Sequence, residues 1–121
     1  MSLKIKKKFF VLGTAQLGSN YGITNSKQKV SKKESFKILD LAWEKGIRYF
    51  DTAPTYNSQK IIGEYIKVNK IEKEIKVFSK ISSLNNNKNI TKNIKLALEK
   101  NIYDLNVLPV INFIHDRKNI S

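Results

Sequence analysis

Four apolar runs alternate with three stretches of helical spacing along this chain, and that alternation narrows the fold more than any other feature. The first run, "FFVLGTAQLG" at 9–18, is broken by Gly13 with Thr14 next, as a buried strand passing into a loop should be. The turn formers of "SNYGITNSKQK" then make a loop. "SKKE" offers a capping box: Ser31 accepts from the backbone N–H of Glu34, whose side chain reaches back. Behind it Ile38, Leu39, Ala42 and Trp43 recur at helical spacing, and Gly46 suits the left-handed position after the last turn. "IRYFD" at 47–51 is a second strand, after which Ser58 caps a helix with the apolar face Ile61, Ile62, Tyr65 and Ile66. "IKVFSK" at 75–80 is a third strand. Ile90, Ile94, Ala97, Leu98 and Ile102 trace a third helix, and "VLPVINFIH" at 107–115 is a fourth strand starting near Pro109.

Strand, helix, strand, repeated in this way, argues a parallel sheet with right-handed crossovers, either open and doubly wound or part of a (β/α) barrel. No G-x-G-x-x-G follows the first strand, which weighs against a dinucleotide-binding open sheet. Polar candidates fall instead at the carboxyl ends of different strands, as barrel enzymes arrange them. Asp51, Lys80 and His115 stand 29 and 35 residues apart (80 − 51 and 115 − 80), one βα unit each. A complete barrel of eight units takes roughly 250 residues. These 121 residues hold about four, so the expected fold is α/β of the (β/α)8 type, present as a half-barrel in one domain over 1–121.

Charge suggests a partner that the details disfavour. The formal net charge is +13, yet only Arg48 and Arg117 are arginines and the lysines are scattered, so a solvated surface is expected rather than a nucleic-acid patch. No apolar run nears the roughly 20 residues of a membrane span. The unbroken run at Phe9 to Leu12 is too short for a signal peptide. With no cysteine there is neither a disulfide framework nor a thiolate metal site, and a cytoplasmic setting is expected.

Asp51 ends the second strand, Tyr56 follows in the loop, Lys80 ends the third strand and His115 the fourth. Singly, each has an ordinary reading as brace, packing or surface; at matching strand ends of one parallel sheet they converge. Over essentially its whole length the chain resembles the amino-terminal half of the aldo/keto reductases. The matching pieces are "LGTAQLG", "GIRYFDTAPTY", the "SK" closing the third strand and the "FIHD" closing the fourth. The resemblance implies a (β/α)8 barrel, NADPH as cofactor, a small-molecule carbonyl substrate, and a catalytic set of Asp51, Tyr56, Lys80 and His115. It also lays Gly13, Thr14 and Ala15 against the cofactor, with Asp51 touching its ribose. Reduction of a carbonyl needs a hydride and a proton, and the cofactor supplies only the hydride. A tyrosine is a sluggish acid at a reference pKa of about 10, and a neighbouring ammonium favours its anion.

The resemblance departs in two places. The family commonly continues from the tyrosine as Y-G-x-S-E, whereas Tyr56 is followed by Asn57, Ser58 and Gln59: a glycine is missing and the glutamate is an amide. The shorter loop bears on how Tyr56 meets Lys80. The sequence also stops soon after strand four, at Ser121, while most family contacts to the nicotinamide amide and the adenosine phosphate lie in the second half. The expectation is a truncated product, weak or inactive alone, with open sheet edges and bare inner apolar side chains. A second-half chain or self-association would cover them. The alternative is a non-catalytic half-barrel remnant acting as a lysine-rich binding or assembly module.

Overall fold

The computed structural model describes residues 9–18, 30–82 and 89–115. Its elements run β1 (Val11–Gly13), α1 (Lys32–Glu44), β2 (Tyr49–Asp51), α2 (Ser58–Asn69), β3 (Lys76–Ser82), α3 (Ile90–Leu105) and β4 (Ile111–His115). The strands form one sheet in the order β1-β2-β3-β4, every pair parallel. Strand order equal to chain order, with a helix in each crossover, is how successive units of a (β/α) barrel are laid down. The partial-barrel fold is therefore present. The expected loop at 19–29 lies outside the described residues, as does Arg117.

Residues Phe50 and Val77 are register partners on the same face of the sheet. Both are buried in one cluster with Leu39 and Ala42 of α1, Ile62, Tyr65 and Ile66 of α2, and Leu105 of α3. All three helices thus share one face. Side chains alternate across a strand, so Tyr49, Asp51, Phe78 and Lys80 project from the other. That inner face is half-bare: Val11 is 45%, Ile111 42% and Phe113 50% exposed. Among the described residues no helix is long and apolar enough to cross a membrane.

Local chemistry accounts for the element ends. Ser31 is the N-cap of α1 and accepts from Glu34 N at 3.0 Å, while the Glu34 carboxylate faces Lys37 Nζ at 3.3 Å. Gly46 turns the chain out of α1 at φ 93°, where a side chain would be strained. The outer strands are shorter than their apolar runs: β1 has only three partners in β2, and β4 begins at Ile111, two residues beyond Pro109.

Three expectations need correcting. Ser58 does not cap α2. The N-cap is Asn57, which is already helical and makes no side-chain cap bond, while Ser58 is fully buried inside the first turn. On α1, Ile38 is 41% exposed, and Leu39 and Ala42 carry the packing. The predicted apolar stripe of α3 holds only through its middle, where Ile94, Ala97 and Leu98 are half-buried. Ile90 and Ile102 are exposed, and Asn101, Asp104 and Leu105 turn inward, because Gln59 of α2 meets them with a buried amide.

Candidate active site

Three registers in step bring the strand ends together. Gly13 pairs with Asp51, Asp51 with Phe78, and Lys80 with Phe113, so Asp51 and Lys80 leave the sheet on its inner face at the same end. Lys80 Nζ donates to both carboxylate oxygens of Asp51 at 3.1 Å and to the Thr52 carbonyl at 2.9 Å. Three acceptors match the three N–H donors of an ammonium. Asp51 and Lys80 thus form an ion pair. Its side chains are 22% and 31% exposed, so water still screens the pair, and such contacts contribute about 1 kcal/mol or less. Its weight lies in geometry: it fixes where the ammonium stands.

Tyr56 meets this ammonium with its ring. Lys80 Nζ lies over the Tyr56 ring, 5.2 Å from the centroid, within the roughly 6 Å reach of a cation–π contact. The tyrosine is held in a tight turn at both of its backbone groups. Its N–H donates to the Ala53 carbonyl at 2.9 Å, and its own carbonyl accepts from Gln59 N at 3.2 Å. The short loop therefore keeps Tyr56 beside Lys80. His115 ends β4 opposite Ser82, and its side chain lies outside the described residues.

The residues expected against a cofactor divide. Gly13 is exposed, and an added Cβ would meet nothing within 4 Å, so the inner face beside Asp51 is open at this point. Thr14 faces the protein instead, 1% exposed. Its hydroxyl donates to the Asp51 carbonyl at 2.7 Å and lies 3.1 Å from Ser58 Oγ, which is 3.0 Å from Thr52 Oγ1. Ala15 is half-buried. The exposed glycine beside a carboxylate that is 31% exposed leaves this end of the inner face open to a ligand. Among the described residues no group of three or more His, Asp or Glu side chains could hold a metal ion.

Behind the site stands a layer of buried polar side chains that periodicity did not reveal: Ser58 with Thr14 and Thr52, and Gln59 with Ser79, Asn101 and Asp104. One signal was available. Asn101, Asp104 and Leu105 fall at i, i+3 and i+4, a helical face that is two-thirds polar in a helix with apolar residues to spare.

The Aldo/keto reductase family model matches residues 10–107, which span β1, β2, β3 and all three helices. This chain belongs to that family. Pyridoxal 4-dehydrogenase of Microbacterium luteolum is 30% identical over 114 residues, covering 87% of this chain and 31% of that enzyme. Among solved structures, PA4992 of Pseudomonas aeruginosa, assigned by name to the aldo-keto reductases, superposes with a TM-score of 0.71 at 22% identity, covering 90% of this chain and 43% of the other. The thermostable aldo-keto reductase Tm1743 gives 0.66 at 22% identity, with coverages of 89% and 39%. The structural likeness is one of fold. The chain spans 31% to 43% of the length of these relatives.

Proposed function

We propose that this chain contributes the catalytic mouth of an NADPH-dependent aldo/keto reductase, an oxidoreductase that reduces a small aldehyde or ketone to an alcohol. The observation that carries the reading is the pinned ammonium. Lys80 is held between the Asp51 carboxylate and the Thr52 carbonyl with the Tyr56 ring against it. In this reading Tyr56 gives its phenolic proton to the substrate oxygen as negative charge develops there. Lys80 stabilises the tyrosinate left behind, and Asp51 keeps Lys80 from swinging away. His115, at the end of β4, donates a hydrogen bond to the same oxygen and orients the carbonyl. Gly13, Ala15 and the Asp51 carboxylate would hold the nicotinamide-side ribose of the cofactor, while Thr14 braces the Asp51 backbone from behind. NADPH, when bound, supplies the hydride, so hydride to carbon and proton to oxygen balance the reduction.

By family resemblance, the groups that clamp the nicotinamide amide and the adenosine phosphate belong to the barrel beyond these four units. Further residues of the same polypeptide, a second-half chain or another copy at the open sheet edges would provide them. A cytoplasmic setting suits the cysteine-free sequence and the cofactor.

The test is fluorescence titration with NADPH followed by turnover of a nitrobenzaldehyde, on the 121-residue chain alone and with the remaining barrel units restored. Proximity supplies much of the rate only when donor and acceptor are both held. Weak binding and little turnover are expected alone. Clear turnover, lowered at least about a hundredfold by Tyr56→Phe, is expected with the barrel completed. A completed barrel that binds no NADPH, or that turns over equally well as Tyr56→Phe, would remove this reading in favour of a non-catalytic module.

A further inference from the structure

The backbone of Lys80 has a bonding problem that the sheet does not solve. Thr52 N donates to the Phe78 carbonyl at 2.8 Å, the last step of the β2–β3 ladder. In a parallel pair the next step would run from residue 54 to the carbonyl of residue 80. Residue 54 is Pro54, which has no N–H. The Lys80 carbonyl is therefore left without a strand partner at the position where its side chain must be placed. A half-buried carbonyl in that state is costly to leave unpaired.

Asn101 of α3 fills the gap. Its Nδ2 donates to the Lys80 carbonyl at 3.0 Å and to Asn112 Oδ1 at 2.9 Å, which uses both amide hydrogens. That orientation is imposed from behind. Asn101 Oδ1 accepts from Gln59 Nε2 at 3.0 Å, and the other Gln59 hydrogen goes to Asp104 Oδ2 at 3.2 Å. Gln59 Oε1 accepts in turn from the Ser79 hydroxyl at 2.7 Å. The bonds run one way, from Ser79 through Gln59 and Asn101 to Lys80. Gln59, Ser79 and Asn101 are at most 1% exposed, so no water is at hand to repair a reversed amide.

We propose that Asn101 and Gln59 are positioning residues for Lys80: Asn101 replaces the missing Pro54 donor at the Lys80 carbonyl, and Gln59 fixes the direction in which Asn101 donates. The proposal rests on the reading of Lys80 given above. It also gives a reason for the amide at position 59. A glutamate there would set a second carboxylate about as close to Asp104 as the amide nitrogen now stands, 3.2 Å. Asn101 would also lose its donor. Of the charged groups facing this spot, Lys100 on α3 already pairs with Asp104 at 2.7 Å and is 57% exposed, and Lys60 on α2 lines the same cleft. Neither removes the repulsion, since both cations stand partly in water.

The test reads Lys80 itself and needs no turnover. The purified chain is acylated with a water-soluble amine reagent, and the labelling rate of Lys80 relative to exposed Lys76 on the same strand is followed by peptide mass spectrometry. In Asn101→Leu the Lys80-to-Lys76 ratio rises about tenfold with the fold retained by circular dichroism, as expected for a strand end that has lost its hydrogen bond. The second arm is Gln59→Glu. Two carboxylates about 3 Å apart cannot both stay ionised, so one of them keeps a raised folded pKa. Its stability is then fullest below the ordinary carboxylate range and is lost as pH rises. Urea midpoints for this variant should therefore climb from pH 8 to pH 5, unlike those of the parent chain. A folded Asn101→Leu with an unchanged ratio, or a Gln59→Glu whose midpoints fall or stay level on acidification, overturns the proposal. A raised ratio in a protein that reduces no carbonyl upholds the positioning and removes only the enzymatic reading.

Discussion

Tyr65 is 3% exposed, stacks edge-on against Phe36 with ring centroids 5.3 Å apart, and donates its hydroxyl to Asp40 Oδ1 at 2.8 Å. Burial raises its pKa well above the ordinary tyrosine range. The bond to Asp40 and the charges of Asp40 and Glu44 push the same way, against a smaller opposing effect of Arg48. The folded pKa is the higher one, so this residue favours the folded state fully below the unfolded value of about 10. That contribution is lost as pH rises above it toward the folded value. The chain should therefore lose stability steeply between about pH 10 and 12, and Tyr65→Phe should flatten that limb. At pH 7 the same variant should cost about 1 kcal/mol for the lost hydrogen bond, since Asp40 is exposed and regains water. Urea denaturation at the two pH values checks both parts. An alkaline limb unchanged in Tyr65→Phe would place the titrating group elsewhere.

At the scale of elements, the contact between α2 and α3 depends on Gly63. A Cβ built there would stand 1.8 Å from the Asp104 carbonyl oxygen and 3.0 Å from Leu105 Cα, backbone atoms that cannot rotate aside. Asn106 Nδ2 also donates to the Gly63 carbonyl at 3.0 Å. Gly63→Ala should cost about 3 kcal/mol or more, because the helices must separate to admit one methyl. A urea midpoint within error of the parent would show that they slide apart cheaply. This contact was invisible in the sequence, and the reason is general to the elements. Ser31, Gly46 and the strand runs were legible because each is set within a few residues, by a cap, a positive φ or an alternation. The Asp51–Lys80 pair was legible because strand ends in one parallel sheet converge. Whether Asn101 faces water or the core depends on Gln59, which is 42 residues away. Ser58, by itself a good cap, is drawn inside by the hydroxyls of Thr14 and Thr52. Periodicity contains no information about either partner.

For the whole molecule, the two faces of the sheet differ in a way that charge modulates. The helix side is closed over Phe50, Val77 and Leu105, whereas Val11, Ile111 and Phe113 stay exposed on the inner side and Phe9, 81% exposed, rests edge-on against Tyr49. Exposed apolar side chains at both edges of one sheet face seek cover. Opposing it is the formal net charge of +13, which keeps copies of the chain apart while the field between them is long-ranged. The balance shifts with salt, since the screening length falls from about 10 Å at 0.1 M to about 3 Å at 1 M. The purified 121-residue chain should therefore bind a hydrophobic dye at all salt concentrations, and its mass by light scattering should rise as sodium chloride is increased. Ile111→Lys with Phe113→Lys should lower both signals severalfold, because these two side chains stand beside Phe78 and Lys80 in the register, exposed on the open edge strand of the bare face. Scattered surface lysines alone would predict the reverse, weaker binding of any acidic partner at high salt and no dye signal. A chain that stays monomeric and dye-free from low to high salt would show that the inner face is already satisfied by its own residues.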